Sequence, residues 1–82
     1  MAAIIPLSEL LPGFRARLVA PADGETIGRR LQDLGFVPET PLEVVRRAPL
    51  GDPVEIEIRG YRLCLRLAQL RGLRVRLDEG KA

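Results

Sequence analysis

The sequence contains no histidine and only one cysteine, Cys64, among its 82 residues. Histidine is the commonest general base and metal ligand, so its absence removes the usual basis for catalysis or metal binding. A single cysteine cannot form an internal disulfide, which fits a reducing compartment. The segment APLGDP is not a phosphate-binding loop, because it lacks the lysine and the following helix of a nucleotide cradle. We therefore expect a protein that is not an enzyme and needs no cofactor.

Aromatic residues are also scarce, since the chain has only Phe14, Phe36 and Tyr61. A proline-peptide groove or a surface for single-stranded nucleic acid needs several exposed aromatic rings, and at least two of these three are needed in the core. The net charge of +2, from 13 basic and 11 acidic residues, is too small to indicate a nucleic-acid or anionic membrane partner. We therefore expect no binding to nucleic acid.

Long hydrophobic runs are missing as well. The apolar runs are only a few residues long, far below the roughly 20 residues that cross a bilayer. The first six residues lack the basic start of a signal peptide. We expect a cytoplasmic protein without direct membrane insertion. A chain of 82 residues is too short for two separately packed cores, so residues 1–82 should form a single domain.

Two pairs of carboxylates are candidates for cation binding. Glu55 and Glu57 lie on one face of a predicted strand, and Asp78 is adjacent to Glu79. Hard cations need several converging oxygen ligands, which neither pair supplies. Nearby arginines are the better partners of these carboxylates, so we expect no metal site.

Cys64 is the only nucleophilic thiol. Arg62 and Arg66 flank it at alternate positions and would favour the reactive thiolate. A lone cysteine in a strand is nevertheless more often a small packing residue. We expect Cys64 to pack under a helix and its thiol to have no function.

The segment from residue 54 to residue 65 predicts a β-hairpin with a defined register. A two-residue turn at Arg59 and Gly60 brings the apolar residues of VEIEI and YRLCL onto one face. A shift by one residue would destroy this match, so the sequence specifies the register. The predicted pairs are Ile58 with Tyr61, Glu57 with Arg62, Ile56 with Leu63, and Val54 with Leu65.

Three more strands follow from alternating or β-branched residues in FRARLVA (14–20), in residues 42–48 and in LRVRL (73–77). In the second of these, Leu42 and Val44 share one face. Short helical turns are expected in PLSELLPG, with Ser8 as N-cap, and in LAQLRG. About five short strands of this kind indicate a mainly β protein, a small barrel closed on itself.

One α-helix is inserted between the first two predicted strands. Ile27, Leu31 and Leu34 recur at helical spacing, and Asp23 is the predicted N-cap. Gly28 would then lie within the helix. Gly35 would end the helix in the left-handed conformation, with the next residue folding back onto Leu31.

Three motifs together resemble the FeoA family: RLQDLGFVP at 30–38, APLGDP at 48–53 and LCLR at 63–66. FeoA is the small cytosolic accessory protein of bacterial ferrous-iron transport, with an SH3-like barrel fold. The resemblance covers nearly the whole chain. One departure is Glu39, where the family usually has glycine after the proline.

The resemblance implies a partner and leaves one alternative. The partner is FeoB, the membrane ferrous-iron transporter with a cytosolic GTP-hydrolysing domain. The same barrel also occurs at the end of metal-dependent repressors, behind a DNA-binding domain that is not found before it here. The alternative is therefore a stand-alone, metal-linked regulatory module.

The APLGDP loop (residues 48–53) has two interpretations of equal weight on the residues alone. Its prolines could protect strand ends while Leu50 caps the barrel. Alternatively, the loop is a stiff recognition surface. The family resemblance favours recognition, so the predicted partner-binding residues are Pro49, Leu50, Gly51, Asp52 and Pro53.

Overall fold

The computed structural model describes residues 3–21 and 25–81, and the side chains of all of these except 79–81. Its elements in these ranges are six strands, one α-helix and two 3₁₀ turns. The strands are β1 (Ile4–Pro6), β2 (Phe14–Leu18), β3 (Pro41–Arg47), β4 (Val54–Ile58), β5 (Tyr61–Leu65) and β6 (Arg74–Lys81). The helix is α1 (Arg29–Asp33), and the 3₁₀ turns are η1 (Leu7–Glu9) and η2 (Leu67–Leu70).

All strand pairs are antiparallel, in the order β1-β6-β2-β3-β4-β5. The predicted mainly β class is confirmed, but closure of the barrel is wrong, since β1 and β5 do not pair within the described residues. The reason lies in the turns that follow these two strands. η1 and η2 contact each other there and bury Leu7, Leu10 and Leu70, so apolar side chains fill the gap that hydrogen bonds would close.

The register of the β4–β5 hairpin is confirmed. All four predicted pairs are present, from Ile58 opposite Tyr61 to Val54 opposite Leu65. Arg59 and Gly60 have φ values of 52° and 85°, which both central residues of the tightest two-residue turn require. Tyr61 is the exception to the predicted inward face, because it is 42% exposed while its hydroxyl donates to the Leu34 carbonyl.

The core is one cluster of buried residues. It includes the inward-facing residues of β2, β3, β4 and β6 together with Phe36. The first predicted strand is shorter than expected and ends at Leu18, which leaves Ala20 exposed. β1 was not predicted, because a strand of three residues ending in proline has no visible alternation. The proposed Ser8 cap is wrong, since Pro6 occupies the N-cap position of η1 and no side chain caps it.

The helix is shorter than its periodicity indicated. The predicted N-cap, Asp23, lies outside the described residues, and residues 25–28 are not helical. Gly28 is the N-cap of α1 rather than an interior residue, with ψ of 146°. Ile27 reaches the core from a non-helical backbone, 7% exposed. Its spacing to Leu31 and Leu34 therefore matches helical periodicity although Ile27 itself is not in a helix.

The predicted helix ending is confirmed. Gly35 has φ of 109°, and its N–H donates to the Gln32 carbonyl at 2.9 Å. The Phe36 N–H reaches back to the Leu31 carbonyl at 3.0 Å. These two bonds satisfy carbonyls that the end of a helix otherwise leaves unpaired, and they direct the Phe36 ring into the core.

Glu39 takes a conformation that favours glycine, with φ of 72°. Its N–H donates to the Leu18 carbonyl at 2.7 Å, and its carbonyl accepts from the Arg17 guanidinium at 3.1 Å. Its carboxylate lies 2.8 Å from the Arg76 guanidinium. The hydrogen bond from Arg76 lowers the pKa of Glu39 below its ordinary value. The turn thus keeps its left-handed residue without glycine, and the side chain gains an ion pair.

Candidate functional site

The APLGDP loop joins β3 to β4 through a tight turn. The Gly51 N–H donates to the Ala48 carbonyl at 2.7 Å, which closes a four-residue turn with Pro49 in second position. The Ala48 N–H donates to the Pro53 carbonyl at 3.0 Å. Gly51 has φ of 89°, a conformation that a residue with a Cβ adopts only at a cost. Two prolines and two backbone hydrogen bonds therefore hold the loop in one shape.

Leu50 lies at the tip of this loop and is 97% exposed. It does not cap the barrel, so that interpretation of its side chain is wrong. A single exposed leucine is common on protein surfaces and needs no explanation by itself. Here the leucine occupies the third position of a hydrogen-bonded turn, so the turn sets where its Cα–Cβ bond points.

Asp52 has a structural contact that the sequence did not reveal. Its Oδ1 accepts the backbone N–H of Leu67 at 3.0 Å, at the start of η2. The bond joins residues 15 apart, so no local motif could have predicted it. Asp52 fixes the end of the APLGDP loop against η2, and one of its two carboxylate oxygens is thereby occupied.

Arg47, the last residue of β3, holds the other end of the loop. One terminal guanidinium nitrogen donates to the carbonyls of Ser8 and Leu10, the latter at 3.0 Å. These carbonyls belong to η1 and its C-cap. Arg47 and Asp52 therefore attach the two ends of the loop to the two 3₁₀ turns that fill the gap in the sheet.

A groove lies beside the loop, lined by Arg46, Pro49, Pro53, Glu55 and Cys64 among others. Cys64 is exposed there, so the prediction that it packs under a helix is wrong. The reason is contained in the confirmed register, which pairs Cys64 with Glu55 on the outer face of the hairpin. The helix is on the other face.

Glu55 is the electrostatic centre of this outer face. Its carboxylate lies 2.6 Å from Arg46 and 3.6 Å from Arg62, and Glu57 is 3.4 Å from Arg62. The hydrogen bond to Glu55 raises the pKa of Arg46 above its ordinary value. The prediction that Glu55 and Glu57 pair with arginines is confirmed.

The described side chains contain no group of three or more histidine, cysteine, aspartate or glutamate residues placed to hold a metal ion. Asp78 belongs to this described part, whereas the side chain of Glu79 lies outside it. The expected absence of a metal site remains a prediction.

Among the helices in the described ranges, none has the length and apolar character required to cross a bilayer.

The FeoA-domain family model matches residues 5–77. The solution structure of the FeoA protein from Chlorobium tepidum is 40% identical in sequence with a TM-score of 0.78, over 95% of this chain and 74% of that one. The zinc complex of Stenotrophomonas maltophilia FeoA, described as a prokaryotic SH3 domain protein, is 28% identical with a TM-score of 0.67, over 95% and 89% of the two chains.

IdeR from T. acidophilum is similar in fold alone, at 19% identity and a TM-score of 0.74. The match covers 93% of this chain but only 35% of IdeR. The family model and the more similar structures agree with the motifs at 30–38, 48–53 and 63–66, and they confirm the resemblance that these motifs indicated. The chain belongs to the FeoA family, which is associated with ferrous-iron transport.

Proposed function

We propose that this protein is a single-domain, non-enzymatic accessory protein of bacterial ferrous-iron uptake that binds the cytosolic part of a FeoB-type membrane GTPase transporter. Membership of the FeoA family supports the pathway. The observation that carries the proposal is the fully exposed Leu50 on a loop held rigid at both ends. A cytoplasmic location follows from this proposal, because the partner surface faces the cytosol.

The loop is suited to binding because little conformational freedom remains to be lost. A flexible loop would have to be ordered on association, and fixing the backbone of one residue costs about 1–2 kcal/mol. The turn and the contacts of Arg47 and Asp52 have already ordered this one. Burying a leucine side chain completely is worth about 1.5–3 kcal/mol. Leu50 would therefore act as the apolar anchor, with Pro49 and Pro53 packing around it.

Asp52 contributes at the rim. Its Oδ1 is engaged by Leu67, so its direct contact with a partner would use the remaining oxygen and the negative charge. A charge at the rim acts mainly on association rate and salt dependence. Asp52→Asn should therefore weaken binding more at low salt than at high salt.

The test is a titration of purified variants against detergent-solubilised FeoB, with thermal melts in parallel. Leu50→Ala should weaken binding at least about fivefold, which corresponds to about 1 kcal/mol, with little change in melting temperature. Leu11→Ala is the matched control, because Leu11 is 61% exposed and the truncation is identical. The control should bind normally.

Two results would contradict the proposal for the loop. One is normal binding by Leu50→Ala. The other is equal weakening by Leu50→Ala and Leu11→Ala, which would indicate a general loss of apolar surface. If the unaltered protein does not bind FeoB at all, the transporter is not the partner.

A metal-linked regulatory module remains the second candidate, supported by the fold shared with IdeR. At 19% identity this likeness extends to the fold only. A regulatory module would bind a transition metal stoichiometrically and would not bind FeoB. The same titration, repeated with and without Fe²⁺, distinguishes the two candidates.

A further inference from the structure

The outer edge of β5 carries backbone groups to which no described residue forms a hydrogen bond. Ile58 and Tyr61 flank the two-residue turn and exchange hydrogen bonds, so odd-numbered residues of β5 face β4. The N–H and C=O groups of Arg62 and Cys64 therefore face away from the sheet. In the described part of the chain, no other strand, turn or side chain bonds to them.

The free edge is short and has defined ends. The turn at Arg59 and Gly60 ends it on one side. On the other side, Arg66 uses both its backbone groups within η2: its N–H donates to Gln69 Oε1 and its carbonyl accepts the Gln69 N–H, each at 2.9 Å. Four backbone groups remain, enough for a partner segment of about five residues in the extended conformation.

Positive charge surrounds this edge. Arg46 and Arg62 lie on the outer face with side chains 78% and 60% exposed. Arg59 and Arg66 stand at the two ends of β5 and make no ion pair with the described residues. Among the described residues, the carboxylates that form ion pairs with these four guanidinium groups are those of Glu55 and Glu57.

The inner side of the edge is apolar. Leu63 is half-buried, and Tyr61 leaves 42% of its surface exposed. A strand added beside β5 would place alternate side chains next to these two residues and the others next to the arginines. The edge therefore selects a segment in which acidic and apolar residues alternate.

Charge also determines which kind of chain fits. A second copy of this protein, paired through the same edge, would bring two arginine-rich edges together without added carboxylates, and like charges across strands are destabilising. A nucleic acid has no peptide groups to complete the hydrogen-bond ladder. An acidic extended polypeptide satisfies both the backbone and the charge.

We propose that the outer edge of β5 binds an extended segment of a partner protein in which acidic and apolar residues alternate, as a strand added to the sheet. Leu50 is not part of this surface, although Arg46 and Cys64 also border the groove that Pro49 and Pro53 line beside the APLGDP loop. The experiment below contains no FeoB, so its result does not depend on whether the loop binds FeoB.

The experiment is an NMR titration of the isotope-labelled protein with the blocked pentapeptide Glu-Val-Glu-Val-Glu, compared with Lys-Val-Lys-Val-Lys. The amide signals of Arg62 and Cys64 should shift and saturate with the acidic peptide. Its affinity should exceed that of the lysine peptide at least about tenfold, because the edge carries excess positive charge.

Two substitutions at Cys64 distinguish the contribution of its backbone N–H to peptide binding from that of its side chain. Cys64→Pro removes an N–H that points to solvent, which edge strands tolerate, and should weaken binding at least about tenfold. Cys64→Ala keeps the N–H and should bind normally. Arg66→Glu leaves the β4–β5 ladder intact and should weaken binding of the acidic peptide at least about threefold. This variant tests the proposal even if the proline variant does not fold.

Three outcomes would overturn the proposal. The first is an absence of shifts at Arg62 and Cys64 with millimolar acidic peptide. The second is equal affinity for the two peptides. The third is a concentration-dependent shift of these signals without peptide, which would identify a second copy of the chain as the occupant.

Discussion

The hydrogen bond from Leu67 to Asp52 should stabilise the APLGDP loop and the folded chain together. Asp52→Ala removes the acceptor of a partly buried N–H at 3.0 Å. A side chain that accepts an N–H at the start of a helical turn contributes about 0.5–2 kcal/mol. We expect Asp52→Ala to lose about 1–2 kcal/mol of unfolding free energy, a fall in melting temperature of about 4–16 °C for a chain of this size.

Asp52→Asn is the control, because its amide oxygen can accept the same bond. It should lose no more than about 0.5 kcal/mol, since aspartate and asparagine are nearly equivalent as caps. The assay is urea denaturation at neutral pH, followed for all three proteins. If Asp52→Ala is as stable as the unaltered protein, or if both variants lose the same free energy, the bond to Leu67 does not stabilise the loop.

Three further predictions concern the core, iron and pH. Ile56→Ala should cost about 2–5 kcal/mol in chemical denaturation, because Ile56 is fully buried; a loss below about 1 kcal/mol would contradict its packing. Anaerobic calorimetry should show no saturable one-to-one binding of Fe²⁺ at micromolar concentrations; a stoichiometric site would refute this. Since Arg76 lowers the pKa of Glu39 below 4.5 in the folded state, this pair stabilises the protein above about pH 4.5. The stabilisation is lost as the pH falls through the folded-state pKa, so Glu39→Gln should flatten the acid limb of a stability–pH curve; an unchanged curve would exclude the pair as its cause.

The β4–β5 hairpin could be predicted from the sequence because the residues that determine its register are close together in the chain. Alternation of Val54, Ile56 and Ile58 with two glutamates allows one register only, and the structure has that register. The ending of α1 was equally local, since Gly35 and the residue after it determine the two hydrogen bonds.

The start of α1 could not be predicted because spacing alone does not distinguish a helix from a non-helical segment that reaches the same core. Ile27 is buried without being helical. The predicted register already places Cys64 on the outer face beside Glu55. The prediction of a buried Cys64 followed instead the general tendency of lone cysteines to pack in the interior. At the candidate site, the anchoring contacts of Arg47 and Asp52 join distant parts of the chain, so only the fold reveals them.

The position of β3 and β4 within the sheet has a mechanical consequence. Each of these strands is hydrogen-bonded on both sides, whereas β1 and β5 are bonded on one side only. Local opening begins where a strand can separate without breaking a second ladder, so the edge strands should open before the central ones. The APLGDP loop extends from the two central strands. A pulling force applied at Leu50 draws β3 and β4 in the same direction, so it would load in shear the ladders that join β3 to β2 and β4 to β5. The amides of β3 and β4 should be among the slowest to exchange with deuterated solvent.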